Sequence, residues 1–391
     1  MGVFNQTQAT KAFQCLGDAC EDTCCKGWGM QLSAQTVEKY EAEAPELLDA
    51  VSSGEAEFIM KRDPQTDYCV KFDAGWCGVH KTYGDSFLGD ACHFFPRATR
   101  QLAQDITLMT VAPSCPEALR RMLYDTTPFA LTTREDIRVP HSVKTYTHGS
   151  LTSEAMLTIH QQFLDYAGDE AASPALQLMR MAEAVRGLAH IAAEQWPEAV
   201  GFYLKMADGR LPAAEPHPAD FIRLLNALQG LIGASKATHR PRLMQTVETI
   251  AQALHVTLDW QTLTVAAAPD TIARQQEMQD AWDGYYGAQL EAVLRRYLQA
   301  QLSLGCFPFS GLGATAEERS LILALRFATA KLALMAECFI AEEVPSSETV
   351  VRILQSLSRF LDHLADPTFS LSIYKEVGWN QPARLRALLG C

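Results

Sequence analysis

The cysteines of this chain are concentrated near its beginning. Eight of the eleven cysteines lie before residue 116 of a 391-residue sequence. Thiolates are the preferred ligands of zinc, copper(I) and iron–sulfur centres. The concentration therefore predicts a bound metal or iron–sulfur cluster in the first third of the chain. The candidate ligands are Cys15, Cys20, Cys24, Cys25, Cys69, Cys77, Cys92 and Cys115.

Disulfide bonds are the alternative explanation of this concentration. The first residues lack the basic start and apolar run of a signal peptide, so we expect a cytoplasmic protein. Structural disulfides are rare in the reducing cytosol, where clustered cysteines more often bind metal. The adjacent Cys24 and Cys25 also cannot readily bridge each other without strain. Metal binding is therefore the favoured interpretation.

The spacing of the cysteines leaves the metal open. A zinc ribbon normally shows two Cys-x-x-Cys pairs, which are missing here. Radical S-adenosylmethionine enzymes show Cys-x-x-x-Cys-x-x-Cys, whereas Cys24 is followed directly by Cys25. His80 and His93 lie near Cys77 and Cys92 and are further possible ligands, although a lone histidine is more often structural.

Charge and hydropathy exclude two classes of partner. The chain has 33 Lys and Arg against 46 Asp and Glu, a net charge of −13. Nucleic-acid binding relies on a basic footprint, so we expect no nucleic-acid partner. The longest apolar stretch, Leu321 to Ala341, contains Arg326, Lys331 and Glu337. It predicts a buried helix rather than a membrane span.

The composition changes near residue 130. The pattern predicts a mainly α protein, with a small loop-rich cysteine-cluster module over residues 1–130 and an all-α helical domain over residues 131–391. Residues 126–149, with two prolines and many threonines, are predicted to form a connector. Helix starts are predicted at a Ser33 cap, at Pro116, at Ser173-Pro174 and at a Thr315–Glu318 capping box.

The cysteine motifs resemble a known family. The stretch from Cys15 to Trp28 is similar to the opening signature of the flagellin lysine-N-methylase family, which is related to cysteine-cluster proteins described as zinc- or iron-chelating. The likeness continues in order through Cys69 and the motifs Cys77–Gly84, Cys92–Arg97 and Ser114–Glu117. Weaker similarities follow at Tyr297-Leu298, Phe307–Phe309, Ser358–Phe360 and His363.

This resemblance implies an enzyme that transfers methyl groups from S-adenosylmethionine to lysine ε-amines of flagellin. It also implies a [4Fe-4S] cluster held by the N-terminal cysteines, with zinc as the alternative metal. The rival hypothesis is a non-catalytic zinc- or iron-binding protein whose helical domain binds a protein partner.

A standard S-adenosylmethionine site is missing from the sequence. Such a site needs a strand, a glycine-rich turn and a helix. Gly27-Trp28-Gly29 and Gly311-Leu312-Gly313 are the nearest matches, and both are predicted to be tight turns. Glu21 and Asp22 are candidates to attract the lysine or take its proton, with solvated loop acids as the alternative. Trp28 and Trp76 either shield a cluster or pack in a small core.

Overall fold

The structure is a computed structural model. It describes residues 3–27, 29–53, 58–103, 105–134, 139–140, 143–364 and 367–391. The chain divides into two compact units, the first formed by residues 1–101 and 107–145 and the second by residues 102–106 and 146–391.

The first unit combines short strands, short helices and loops. In chain order its elements are β1 Val3–Thr7, α1 Gln8–Ala12, β2 Met30–Leu32, α2 Ala34–Glu43, β3 Val51–Ser53, β4 Phe58–Met60, β5 Phe72–Asp73, β6 Trp76–Cys77, α3 Gly78–Tyr83, α4 Asp90–Phe94, β7 Arg97–Leu102, β8 Ile106–Val111, α5 Pro116–Tyr124, β9 Leu131–Arg134 and β10 Thr145–Tyr146.

Five of these strands form one sheet in the order β10-β7-β8-β1-β9. β1 pairs antiparallel with β9, so that Phe4 lies opposite Arg134 and Thr7 opposite Leu131. The predicted connector was therefore wrong as a description of residues 126–149, because two sheet strands lie within it. Threonines favour strands, but β9 pairs with β1 and β10 with β7, and such distant partners leave no local signal.

A small hydrophobic core supports the cysteine-rich loops. As predicted, Ser33 caps α2, and its Oγ accepts a hydrogen bond of 3.1 Å from the Thr36 backbone N–H. The helix ends at Glu43, just before Pro45, which cannot continue it. The apolar face of α2 packs in a core to which Cys69, Cys77 and Cys92 are joined at its edge. This core consists of Met30, Leu32, Val37, Tyr40, Ala44, Leu47, Ala50, Met60, Val79 and Leu88.

The second unit is helical, which confirms the predicted fold class, apart from one short hairpin that the sequence pattern did not show. Its elements are α6 Ser153–Gly168, α7 Pro174–Leu188, α8 Trp196–Met206, α9 Asp220–Ala234, α10 Pro241–Leu254, β11 Val256–Asp259, β12 Thr264–Ala267, α11 Thr271–Ala281, α12 Gly287–Gly305, α13 Ala316–Ala341, α14 Ser347–Leu361, α15 Pro367–Glu376 and α16 Pro382–Leu389.

Helix α13 is the central helix of this unit. It begins at the predicted cap, where the Glu318 backbone N–H donates to Thr315 Oγ1 over 3.1 Å. It packs against α7, α10 and α14. Its buried Lys331 has a hydrogen-bond partner inside the unit, because Nζ donates to the Leu389 carbonyl over 2.8 Å. The buried helix predicted here is confirmed, and across the described residues no helix is long and apolar enough to span a bilayer.

A buried polar network links α12, α13 and α14. Tyr297 Oη lies 3.0 Å from Ser358 Oγ. Gln301 Nε2 donates to Ser358 Oγ over 3.2 Å and to Asp362 Oδ2 over 3.4 Å. Arg326 Nη1 lies 2.9 Å from Asp362 Oδ1, and the Asp362 side chain is only 3% exposed. Tyr297 and Ser358, which belong to the weaker part of the family similarity, are therefore buried inside the helical unit.

The substitution Asp362→Asn should change how stability depends on pH. Burial raises the pKa of Asp362 from 3.8 to about 6, against the opposing effect of Arg326. Because the native state binds this proton more tightly than the unfolded chain, wild-type stability falls as pH rises through this interval. Asparagine does not ionise, so the wild type should lose up to about 3 kcal/mol relative to the variant.

Urea unfolding followed by helical circular dichroism at about pH 4 and about pH 7 measures this difference. Stability curves of wild type and variant that stay parallel across the interval would contradict the assignment.

Candidate metal centre

Most of the predicted ligands line one cavity in the first unit. The cavity has a volume of about 410 Å³. Residues from the loop before β2, from the β5–β6 hairpin, from α4 and from the start of α5 form its wall. Seven cysteines line it, namely Cys15, Cys20, Cys24, Cys25, Cys77, Cys92 and Cys115.

The eighth cysteine lines a second, smaller void. This void, of about 20 Å³, is lined by Cys25, Cys69, Cys77 and Cys92 together with residues of the small core. The Cys69 backbone N–H donates to the Cys25 carbonyl over 2.8 Å, which fixes the two segments side by side. Because three cysteines line both spaces, the structure brings all eight predicted ligands to one region of the first unit.

Two glycines allow the loop that carries Cys15 and Cys20 to pack against the β5–β6 hairpin. Gly17 has a φ of +57°, and a Cβ there would lie 2.5 Å from Trp76 Cη2. Gly75 has a φ of +90°, and a Cβ there would lie 2.7 Å from Asp18 Cβ. Glycine adopts these left-handed conformations without steric cost. The close approach places Cys15 and Cys20 beside the hairpin that ends in Cys77.

Cys115 lies where the sequence places it, at the N-terminus of a helix. It is the N-cap of α5, with Pro116 in the first turn. The backbone N–H groups of Glu117 and Ala118 act to lower its pKa, although its side chain forms no cap hydrogen bond. The helix dipole and these orphan donors favour a thiolate or another anionic group at this point. Burial acts in the opposite direction and raises the pKa of Cys115 to about 12.

Backbone donors to sulfur recur around the site. The Gly17 N–H donates to Cys15 Sγ over 3.5 Å. Backbone N–H groups of Asp22, of Lys71, and of Val79 and His80 act to lower the pKa of Cys20, Cys69 and Cys77 respectively. A thiol sulfur is a weak acceptor, whereas a metal-bound thiolate is stabilised by such bonds. The chain is thus arranged for sulfur that carries negative charge.

Without a cation, this charge is unfavourable. Burial raises the pKa of Cys20, Cys69 and Cys77 above the ordinary thiol value, and neighbouring cysteines raise the three values further. A bound metal centre neutralises such a set and deprotonates its thiols. The sulfur donors are therefore of the chemical type that the predicted thiolate-held group requires. Among the described residues, no group of three or more His, Cys, Asp and Glu side chains is arranged to hold a single metal ion.

The two histidines and two acidic residues that the sequence suggested differ in their contacts. His80 and His93 both line the large cavity, and His93 Nδ1 lies 2.7 Å from Asp85 Oδ1. Asp22 also lines the cavity, whereas the Glu21 carboxylate forms a 2.7 Å ion pair with Arg120.

The structure also shows the positions of the tryptophans and of the three cysteines outside the first unit. Trp76 lines the cavity and is 41% exposed, while Trp28 lies outside the described residues. Cys306 and Cys338 are fully buried in the second unit, as predicted, and Cys391 is half-buried there. No disulfide joins any of the eleven cysteines, all of which lie in the described part of the chain.

The structure also adds two charged residues that the sequence reasoning missed. Arg97 lines the cavity, and its guanidinium lies 5.1 Å from the centre of the Phe13 ring. Asp85 lines the cavity beside His93. Arg97 is the last residue of the Cys92–Arg97 motif and Asp85 directly follows the Cys77–Gly84 motif, so their positions close to the cysteines were the available signal.

Comparison with known proteins places the chain in a family. Residues 175–386 match the family model described as the FliB lysine N-methylase C-terminal domain. Because this match covers more than half of the sequence, the chain belongs to the FliB lysine N-methylase family, which confirms the resemblance.

Three Salmonella relatives are similar over part of their length. Proteins named lysine-N-methylase from Salmonella typhimurium strain LT2 and Salmonella choleraesuis strain SC-B67 are each 29% identical over 136 residues, which is 32% of this chain and 34% of theirs. The flagellar biosynthetic protein FliU of Salmonella muenchen is 30% identical over 129 residues, 30% of this chain and 76% of FliU. The matched segment thus spans about a third of each lysine-N-methylase. No solved structure matches the chain.

The substitution Gly17→Ala should loosen the loop that carries Cys15 and Cys20. Alanine at a φ of +57° costs about 1–2 kcal/mol, and its Cβ would overlap the Trp76 ring. Hydrogen exchange of the peptide around residues 13–27 should therefore become about 5- to 30-fold faster.

Gly29→Ala is the matched control, because a Cβ there would make an ordinary 3.6 Å contact with Ile59. Equal exchange rates in the two variants would show that the turn at Gly17 does not hold the loop.

Proposed function

We propose that this chain is a lysine methyltransferase that transfers methyl groups from S-adenosylmethionine to flagellin and carries an iron–sulfur cluster on its N-terminal cysteines. The observation that carries the activity is the family match over residues 175–386. The names of the relatives, lysine-N-methylase and flagellar biosynthetic protein, point to lysine and to the flagellum. The proposed location is the cytoplasm, where thiols remain reduced.

The proposed cluster is supported by the cysteine sulfurs of the first unit. Eight cysteines line two adjoining spaces, and the Gly17 backbone N–H donates to the Cys15 sulfur. Thiolates are the ligands of [4Fe-4S] clusters, and hydrogen bonds to sulfur and solvent exposure set their potentials. When bound, such a cluster supplies a redox couple and Lewis-acidic iron. Zinc on the same thiolates is the alternative metal.

Methyl transfer itself makes a small demand on the protein. The lysine ammonium loses its proton, the amine lone pair forms a bond to the methyl carbon, and the electrons of the broken sulfur–carbon bond stay on sulfur. The products are methyl-lysine and S-adenosylhomocysteine. Alignment of donor and acceptor and removal of the proton contribute several powers of ten in rate.

The large cavity has side chains suited to these tasks. Asp22 lines it and attracts an ammonium group, while Phe13 and Leu88 contribute apolar wall that excludes water. The Glu21 carboxylate is engaged with Arg120, so Asp22 is the better placed of the two acids that the sequence suggests. Arg97 offers a positive charge to the carboxylate of a methionine moiety.

Anaerobically purified protein should be brown and contain at least about four irons per chain with an equal amount of acid-labile sulfide. The physical reason is that the lining thiolates need a cationic centre to offset their repulsion. Iron, zinc and sulfide analysis with an absorption spectrum tests this. Colourless protein with stoichiometric zinc would remove the iron–sulfur part of the proposal.

Purified protein given S-adenosylmethionine and flagellin should add methyl groups to flagellin lysines, seen by mass spectrometry in steps of one methyl group. Cys24→Ser, which removes a cavity thiol, should abolish the shift while circular dichroism shows an intact fold. Cys391→Ser lies outside the cavity and should keep the activity. No methylation by the wild-type protein would count against the enzyme.

A further inference from the structure

One arginine joins the loop between Cys20 and Cys24 to helix α5. Arg120 lies on α5, and its Nη2 atom is 2.7 Å from Oε1 of Glu21 in that loop. Its Nη1 atom is 2.8 Å from Oε2 of Glu117, which belongs to the first turn of α5. The planar fork of N–H donors on a guanidinium group can bind two carboxylates at once. Arg120 therefore connects two segments that both contribute to the wall of the large cavity.

Glu117, the carboxylate on the helix side of this bridge, is fixed by α5 itself. It lines the large cavity and is only 7% exposed. Its Oε1 atom accepts a 2.8 Å hydrogen bond from Arg121 Nε, so each of its oxygens binds a different arginine. Arg121 also lies 3.6 Å from Asp125 at the end of the same helix. Arg121 thus makes its ion pairs within α5, whereas Arg120 extends the interaction to the loop.

The two consecutive acidic residues of the loop have different positions. Asp22 lines the large cavity, whereas Glu21 is paired with Arg120 and is not among the described residues that line it. Fixing the Glu21 side chain against α5 restricts the backbone of the residue that follows it. A group that is already held in its binding orientation loses less conformational entropy when a ligand arrives. The ion pair of Glu21 therefore bears directly on how Asp22 meets a ligand.

From these contacts we propose that Arg120 is a positioning residue for the acceptor lysine. It binds Glu21 and Glu117 together, holds the loop against α5 and keeps Asp22 at the cavity wall, where the Asp22 carboxylate meets the lysine ammonium group. Arg120 is itself not among the described residues that line the cavity, so it acts through Asp22. This inference deepens the proposed function, because it rests on the large cavity receiving the lysine.

The burial of the bridge decides how much its loss matters. A fully exposed ion pair contributes little to stability, because water screens it. Removing one partner of a buried pair costs more, because the other charge is left uncompensated. The Arg120 side chain is 33% exposed and the Glu117 side chain 9% exposed, which places this bridge between the two cases. We therefore expect the loss of Arg120 to loosen the loop while the first unit stays folded.

Steady-state methylation of flagellin by the full chain tests this role. Arg120→Gln should raise the KM for flagellin about 5- to 30-fold and leave kcat within about twofold of the wild-type value. The reason is that a loosened loop holds Asp22 in the binding orientation for only part of the time, which lowers the apparent affinity. Arg121→Gln is the matched control, because it removes a bond to the same Glu117 carboxylate but leaves the bridge to Glu21. It should keep the wild-type KM.

Two further variants test the bridge and its route through Asp22. Arg120→Lys keeps the positive charge as a single point and cannot bind both carboxylates in the same way, so its KM should rise like that of Arg120→Gln. Asp22→Asn removes the carboxylate that is positioned. In that background Arg120→Gln should cause no further rise in KM, whereas a merely structural role of Arg120 would raise KM equally in both backgrounds.

Hydrogen exchange provides a readout that does not depend on activity. The peptide around residues 13–27 should exchange about 5- to 30-fold faster in Arg120→Gln than in the wild type or in Arg121→Gln. Circular dichroism confirms that each variant is folded. Glu21→Gln breaks the same bridge from the loop side and replaces Arg120→Gln if that variant does not fold.

An unchanged KM or an unchanged exchange rate in Arg120→Gln would overturn the role of Arg120 and leave the proposed function standing. The same holds for equal effects of Arg120→Gln and Arg121→Gln, for a wild-type KM in Arg120→Lys, and for a further rise in KM when Arg120→Gln is added to Asp22→Asn. A wild-type protein that does not methylate flagellin would instead remove the proposed function, and the role of Arg120 toward lysine with it.

Discussion

The repulsion between clustered and mostly half-buried thiolates is the constraint on which the first unit depends. Cysteines separated by up to a hundred residues line two adjoining spaces whose total volume is modest. Burial and the charge of neighbouring cysteines raise the pKa of Cys20, Cys69 and Cys115. If these cysteines are ionised without a metal, their negative charges repel one another. A bound cation would offset this charge, and nearby backbone N–H groups would then stabilise the sulfurs.

The fold of the first unit follows from this constraint. Its apolar core is small, and three cysteines lie at its edge. Small units with thin cores usually gain stability from disulfides or metals. Here the cysteines form no disulfides across the described chain, and the proposed metal centre would supply cross-links in their place. The second unit needs no such help, because α13 buries a long apolar surface among its neighbouring helices.

Local signals in the sequence predicted the helix starts well. Ser33, Ser173 and Thr315 each cap the helix that follows, because a capping side chain acts on backbone only two or three residues away. The sheet was missed for the opposite reason. The pairing of Phe4 with Arg134 joins distant segments, and short threonine-containing strands resemble a connector.

The site was predictable in its chemistry but not in its arrangement. Cysteine type and density indicated a thiolate-held centre, whereas the division of the thiols between two spaces depends on tertiary packing. Asp85 and Arg97 show the same limit: Asp85 follows one cysteine motif and Arg97 ends another, but only the fold shows that they line the cavity. The family resemblance, in contrast, needed only the ordered motifs, and the match over residues 175–386 confirms it.

The central claim is that the N-terminal cysteines share bound metal, and alkylation footprinting of the native protein tests it most directly. Cys15 is exposed, so as a simple surface thiol it would react at once, whereas as a metal ligand it is protected. The account predicts that the eight N-terminal cysteines are protected in anaerobic protein and become reactive when a chelator removes the metal, while Cys306 and Cys338 stay buried and unreactive. Rapid modification of Cys15 in the untreated protein, unchanged by the chelator, would contradict it.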